Sequence, residues 1–164
     1  MKKFSDIPDD IIAKLEGVHE EFFQTEKHGD EMPVTVETQN KLSALTPYWL
    51  NYETDSEGNP ISSVVVMPTQ RALGEQFLDG HITEKELMER TIPSDSYDAA
   101  YLCAAITVPR FRGQGITRRL FTEALQNIPL TKDAILLYWA TSKEGERWVM
   151  KNKDILGKPI VVRK

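Results

Sequence analysis

The sequence predicts a mixed α/β domain, one sheet with helices packed against it. Three features carry that prediction. "AAYLCAAITV" (99–108) and "AILLYWA" (134–140) are unbroken apolar runs, the pattern of strands buried on both faces. Between them, Ile116, Leu120, Phe121, Ala124, Leu125 and Ile128 recur at helical spacing. Upstream, two runs rich in aromatic and β-branched residues flank "DSEGNP", in which every residue type favours a turn.

Taken from the N-terminus, "PDDIIAKLEGVHEEFFQTEK" reads as a helix with Ile11, Leu15, Val18 and Phe22 on one face. Pro8, Asp9 and Asp10 suit its start and Gly29 its end. "PVTVETQNKLSAL" carries two signals. Val34 and Val36 alternate like a strand, whereas Lys41–Leu45 reads as helix, and helix is the expectation. "PYWLNYE" and "ISSVVVMP" form the hairpin around "DSEGNP". Thr69 is expected to cap "QRALGEQFLD", which Gly80 closes. Thr83 and Glu86 make a capping box for "EKELMER". "IPSDSYD" is a loop, "EGERWVMKN" a short helix, and "PIVVRK" a last strand, expected at an edge because of Pro159. Hairpin, strand, helix, strand, helix, strand is the order of a mixed sheet rather than a purely parallel one.

The 164 residues suit one domain: a helical portion over 1–45, hairpin and helices over 46–98, and a further half over 99–164. A composition 40% hydrophobic and 27% charged is that of a soluble globular chain. The net charge of −5 argues against nucleic acid or an anionic membrane as the main partner. The single cysteine, Cys103, forms no internal disulfide and fits a reducing, cytoplasmic setting. "MKKFSDIPDD" has lysines but no apolar core behind them, unlike a signal peptide. No apolar run nears the length of a membrane span.

Chemistry concentrates in "TVPRFRGQGITRRL" (107–120), at the junction of the first apolar run and the following helix. A helix start presents backbone N–H groups without intrahelical partners, at the positive end of its dipole. Glycines let a bulky anion approach that backbone. Arg110, Arg112, Arg118 and Arg119 reverse the local sign of charge in an acidic protein. The segment therefore reads as a phosphate cradle. A P-loop would need Gly-Lys-Ser/Thr where Gly115-Ile116-Thr117 stands. A Rossmann fingerprint would need a third glycine where Arg118 stands.

Arg/Gln-x-x-Gly-x-Gly fits, filled by Arg110, Gly113 and Gly115. With its buried strand before it and Ile116 after it, "VPRFRGQGI" resembles the pyrophosphate-binding segment of the GNAT superfamily, the acyl-CoA-dependent N-acetyltransferases. The resemblance is specific over 99–128 and looser to Lys164. It implies a GNAT-like fold: a mixed, mostly antiparallel twisted sheet with a splayed central strand pair and flanking helices. It also implies acetyl-CoA as cosubstrate and no metal. Ile106, Thr107 and Val108 would meet the pantetheine arm. Arg110, Arg112, Gly113, Gln114, Gly115, Ile116 and Thr117 would surround the pyrophosphate. Ser142 or Thr141 would stand on the other wall of the slot, beyond "AILLYWA". A backbone N–H near Val108 would face the developing oxyanion.

The activity implied is acetyl transfer to a primary amine by direct attack, with a small-molecule or peptide acceptor and the question of a homodimer open. Many relatives carry an acidic tyrosine in the last helix; Trp148 and Val149 stand there in this chain. Tyr138 is the substitute acid, and Glu53, at a strand end, the candidate base. Two other classes stay open: a CoA-binding sensor or interaction module with little turnover, and an unrelated nucleotide-phosphate binder. Plainer readings stand beside the chemical ones. Cys103 reads as a buried inert thiol. His19 and His28 lack partners at metal spacing. Tyr48, Trp49, Tyr52, Trp139 and Trp148 read as packing, Arg118 and Arg119 equally as a solvated face, and "EFFQTEKHGDE" as a wet helix end.

Overall fold

The computed structural model describes residues 1–23 and 35–164. Among them six strands form one open mixed sheet in the order β1-β2-β3-β4-β6-β5. The strands are β1 (Leu50–Thr54), β2 (Pro60–Thr69), β3 (Tyr97–Thr107), β4 (Leu130–Tyr138), β5 (Asp154–Ile155) and β6 (Lys158–Val162). The helices are α1 (Asp9–Phe23), α2 (Val36–Leu45), α3 (Arg71–Leu78), α4 (Glu84–Arg90), α5 (Ile116–Gln126) and α6 (Lys143–Lys151). β1–β2, β2–β3 and β5–β6 are antiparallel, while β3–β4 and β4–β6 are parallel. No helix among the described residues is long and apolar enough to cross a membrane. The expected end of α1 at Gly29, together with His28 and Val34, lies outside the described residues.

The unbroken apolar runs follow from a sheet covered on both sides. Val65, Met67, Tyr101 and Leu137 face one way, into a core with Leu15, Leu42, Phe77 and Leu87 from α1 to α4. Their neighbours Val64, Val66, Leu102 and Leu136 face the other, into a core with Leu120, Phe121 and Val149 from α5 and α6. Period-two alternation sends successive side chains to opposite faces, and here both faces are dry. Burying one such large side chain contributes about 1.5–3 kcal/mol, so the central strands anchor the fold.

Local rules account for most element ends. Thr35 caps α2 by accepting from the Thr38 N–H at 3.1 Å, so the described part of the ambiguous segment is helix over Val36–Leu45. Asp55 Oδ1 accepts from the N–H groups of Glu57 and Asn59, both at 2.9 Å, and closes the hairpin turn. The capping box of Thr83 and Glu86 starts α4.

Two expectations are corrected. Thr69 does not cap α3: it ends β2, and its Oγ1 pairs with Thr91 Oγ1 at 2.6 Å. The first helical N–H of α3, that of Arg71, is taken instead by Asp98 Oδ1 of β3 at 2.6 Å, a partner remote in sequence. Nor is β6 an edge strand, because the two-residue β5 lies outside it. Pro159 is tolerated there because the β4–β6 ladder starts one residue later, at Leu136↔Ile160.

Candidate functional site

The pairing of β3 changes along its length. Its first half is held on both sides, by β2 and by β4. The last pair with β4 is Leu102↔Tyr138, after which β4 ends. From Cys103 to Thr107 β3 keeps β2 on one side, and no described strand pairs with the other. At that point Cys103 is an extra residue opposite the Val65/Val66 step of β2, a β-bulge. Bulges bend a strand and increase its twist, and this one coincides with the parting of β3 from β4.

The β2 side of β3 fixes which backbone groups face the open side. The Val108 N–H donates to Ile61 O at 2.9 Å. Val108 thus extends the ladder by one bond, and its N–H is not available to an oxyanion, contrary to expectation. Antiparallel alternation turns the amides of Ala105 and Thr107 toward the open side instead. The Ile106 carbonyl is occupied by Ser62 Oγ at 2.9 Å.

Beyond β3 the chain makes one 3₁₀ turn, Pro109–Phe111, and enters α5 through Arg112, Gly113, Gln114 and Gly115. Gly113 and Gly115 have φ of 79° and 73°, in the left-handed region that favours glycine. No atom lies within 4 Å of where a Cβ would stand on either. Among the described residues, no hydrogen-bond acceptor takes the backbone N–H of Gly113, Gln114, Gly115, Ile116 or Thr117. The first helical carbonyl-to-amide bond from this turn is Arg119 N–H to Gly115 O, 3.1 Å. The result is a run of open amides at the positive end of an eleven-residue helix. Thr117 is tied to Thr107 (Oγ1–Oγ1 3.0 Å) and Thr107 to Ser62 (2.8 Å), which locks the helix start onto the sheet.

The arginines divide. Arg110 is well exposed, stacks on the Phe111 ring with 4.8 Å to the centroid, and reaches Asp55 at 3.9 Å. Arg112 folds back so that its Nε donates to Thr107 O at 3.0 Å. Arg118 instead joins α5 to the α6–β5 corner, donating to Asn152 Oδ1 at 3.0 Å and Asp154 O at 2.7 Å. Arg119 is ion-paired with Glu53. An open hollow beside the turn is lined by Arg110, Phe111 and Gln114 on one side and by Asp55, Ser56 and Glu57 on the other. The Asn59 backbone N–H foremost, then that of Glu57 and the charge of Arg110, hold the Asp55 carboxyl below its ordinary range. One wall of the hollow is thus cationic and the other anionic.

The remaining expected residues fall at different distances from the open half of β3. Ser142 lies beyond β4, exposed, and caps α6 by accepting from the Gly145 N–H at 3.0 Å. Tyr138, the last residue of β4, is buried against Trp148, ring centroids 5.5 Å apart. Burial pushes its phenol up to about 12, so it stays protonated. Its hydroxyl lies 2.9 Å from where a Cβ on Gly145 would be. Glu53 pairs with Ser62 of β2, which in turn pairs with Thr107, so one whole strand separates Glu53 from β3. Its carboxylate is ion-paired with Arg119 of α5, away from the open half of β3.

The structure also gathers groups that sequence reasoning passed over. Glu84 is 6% exposed although it opens a helix, and it accepts from the Tyr101 hydroxyl at 2.8 Å. His19, 8% exposed, shares a 3.1 Å hydrogen bond with Ser63 Oγ, and burial lowers its imidazole to about 4. Periodicity marked Glu84 and Tyr101 only as a helix start and a buried strand residue. Cys103 is half-buried; burial first, then the charge of Glu84, holds its thiol well above the ordinary range. Among the described residues no group of His, Cys, Asp and Glu is arranged to hold a metal ion.

A scan against protein-family models finds none that matches this chain, and a search of curated proteins finds no match either.

Proposed function

We propose that the chain is a GNAT-type N-acetyltransferase that transfers an acetyl group from acetyl-CoA to a primary amine. The observation that carries this reading is the run of open amides from Gly113 to Thr117, at the end of a strand that has lost its β4 partner. The donor set suits a pyrophosphate: consecutive N–H groups, two glycines without Cβ, and the exposed cations of Arg110 and Arg112. The amides of Ala105 and Thr107 suit the peptide-like bonds of a pantetheine arm.

Acetyl-CoA would supply an acyl group already activated as a thioester. The protein's part is then orientation more than bond polarisation. The backbone of β3 would hold the arm extended, and the amide of Ala105 would replace that of Val108 as a donor toward the acyl oxygen. Tyr138 keeps its proton at neutral pH, but burial that raises its phenol to about 12 makes it a weaker acid than an ordinary tyrosine, so the departing thiolate would take its proton from water.

A second reading has its own support. Position 148 in α6 is Trp where many relatives carry an acidic tyrosine, and the candidate base Glu53 is held in an ion pair with Arg119. That pattern suits a CoA-binding module with little turnover. One assay separates the readings. Acetyl-CoA is mixed with a panel of primary amines, and free thiol is followed alongside calorimetric binding of CoA and of ATP. Thiol release that requires an amine supports the enzyme. CoA binding without release supports the module. Binding of ATP but not CoA removes both.

A further inference from the structure

A chain of three hydroxyls runs from β2 to the first turn of α5, and its direction follows from counting protons. Ser62 of β2 is 3% exposed, and its Oγ donates to the Ile106 carbonyl at 2.9 Å. A serine hydroxyl carries one proton. With that proton on Ile106 O, the 2.8 Å contact between Ser62 Oγ and Thr107 Oγ1 is made by the Thr107 proton. Thr107 then has none to spare, so its 3.0 Å contact with Thr117 Oγ1 is made by the Thr117 proton. Every hydroxyl proton in the chain points into the sheet. Toward the turn Thr117 Oγ1 presents lone pairs alone.

That direction separates two roles for Thr117. A phosphate oxygen is held by donors, and the Thr117 hydroxyl has already given its proton to Thr107. Its side chain therefore works as a tether, and the backbone amides face the anion. The run it tethers needs holding. Gly113 and Gly115 are both left-handed, with open space where a Cβ would stand, so side-chain packing does not order them. Thr107 grips this run at both ends. Its carbonyl accepts from Arg112 Nε at 3.0 Å, and its hydroxyl accepts from Thr117. Thr107 itself stands where β3 has already lost β4 and keeps only β2 beside it among the described strands. Its partner across that ladder is Ser62. The Ser62 hydroxyl thus fastens the junction to the sheet at the point where lateral support has halved.

We propose that Ser62 is a positioning residue for the cosubstrate: through Thr107 and Thr117 it holds the amides of 113–117 in the arrangement that takes a pyrophosphate, without touching the ligand. This rests on the acetyltransferase reading, since that reading puts the pyrophosphate of CoA at the turn. It adds a residue of β2 that the glycine motif does not contain, 45 positions before Thr107 in the chain.

The test is a double-mutant cycle read by titration calorimetry with CoA, with thermal melts beside it. Thr117→Val keeps the branched shape and removes the hydroxyl. Ser62→Ala cuts the chain at its other end. Each should weaken CoA about 10-fold, the size of one lost hydrogen bond at the upper end of its usual range. Thr117→Ser restores the hydroxyl and should bind within about two-fold of wild type. The double variant should bind about as well as either single one, because both cut the same chain. Should Ser62→Ala fold poorly, Thr107→Val takes its place in the cycle, with the same outcomes. A folded Ser62→Ala protein that melts lower but binds CoA as well as wild type, or better, overturns the proposal and leaves Ser62 a purely structural residue. Losses that multiply to about 100-fold in the double variant overturn it as well, since Thr117 then acts on the ligand independently of Ser62. Both of these leave the acetyltransferase reading intact. Wild type that binds no CoA overturns that reading and the proposal together.

Discussion

Gly113→Asp tests the cradle directly. The position is exposed and has φ of 79°, with no atom within 4 Å of the Cβ it would acquire. Aspartate visits the left-handed region more readily than most residues, so the conformational cost is about 1 kcal/mol. For a chain of this size that corresponds to a fall in Tm of about 2–4 °C. The effect on an anion is larger. A carboxylate about 5 Å from one phosphate charge, at an effective dielectric constant of about 20, opposes binding by about 3 kcal/mol. The new side chain also competes for the N–H groups of Gly115, Ile116 and Thr117 that would hold the phosphate. CoA affinity should therefore fall about 100-fold or more, at a factor of ten per 1.4 kcal/mol. Gly113→Ala is the control: it bears the same backbone cost without the charge and should lose far less. The assay is titration calorimetry with CoA at low ionic strength, where screening is weakest, with circular dichroism to follow folding. A folded Gly113→Asp protein that binds CoA within three-fold of wild type would refute the cradle.

Two further predictions concern packing and pH. His19 is held neutral at about 4 in the folded protein against 6.5 when exposed, so between those values the unfolded chain binds the extra proton. Stability should fall by up to about 3 kcal/mol as pH drops from 6.5 to 4; urea midpoints of His19→Gln should show a visibly flatter acid limb, and an identical slope would show that His19 contributes nothing. In Gly145→Ala the new Cβ meets the Tyr138 hydroxyl at 2.9 Å, which should destabilise by about 1–3 kcal/mol. Adding Tyr138→Phe removes that hydroxyl and should restore most of the loss in thermal melts. A double variant no more stable than Gly145→Ala would place the strain elsewhere.

Elements and the glycine turn were legible in the sequence because their causes are local. Helical spacing, the Thr83–Glu86 box and the turn residues of 55–60 act within a few positions of one another. "RGQGIT" announces a left-handed entry into a helix whatever surrounds it. The buried strands were legible for a related reason: a sheet covered on both faces leaves few polar positions in its central strands, so "AAYLCAAITV" and "AILLYWA" stand out unaided. What only the tertiary structure decided is how far each strand is paired and which polar groups meet. Whether the Val108 N–H is open depends on Ile61, 47 positions away in the chain. Asp98 caps a helix 27 residues upstream. Glu53 looked available as a base until the fold brought Arg119, 66 residues on, against it. Glu84 looked like an ordinary helix start until α4 packed its first turn over Tyr101. Hydrogen bonds and ion pairs reach only about 3–4 Å, so they depend on register and packing angle, and these emerge only when the whole sheet closes on both its cores.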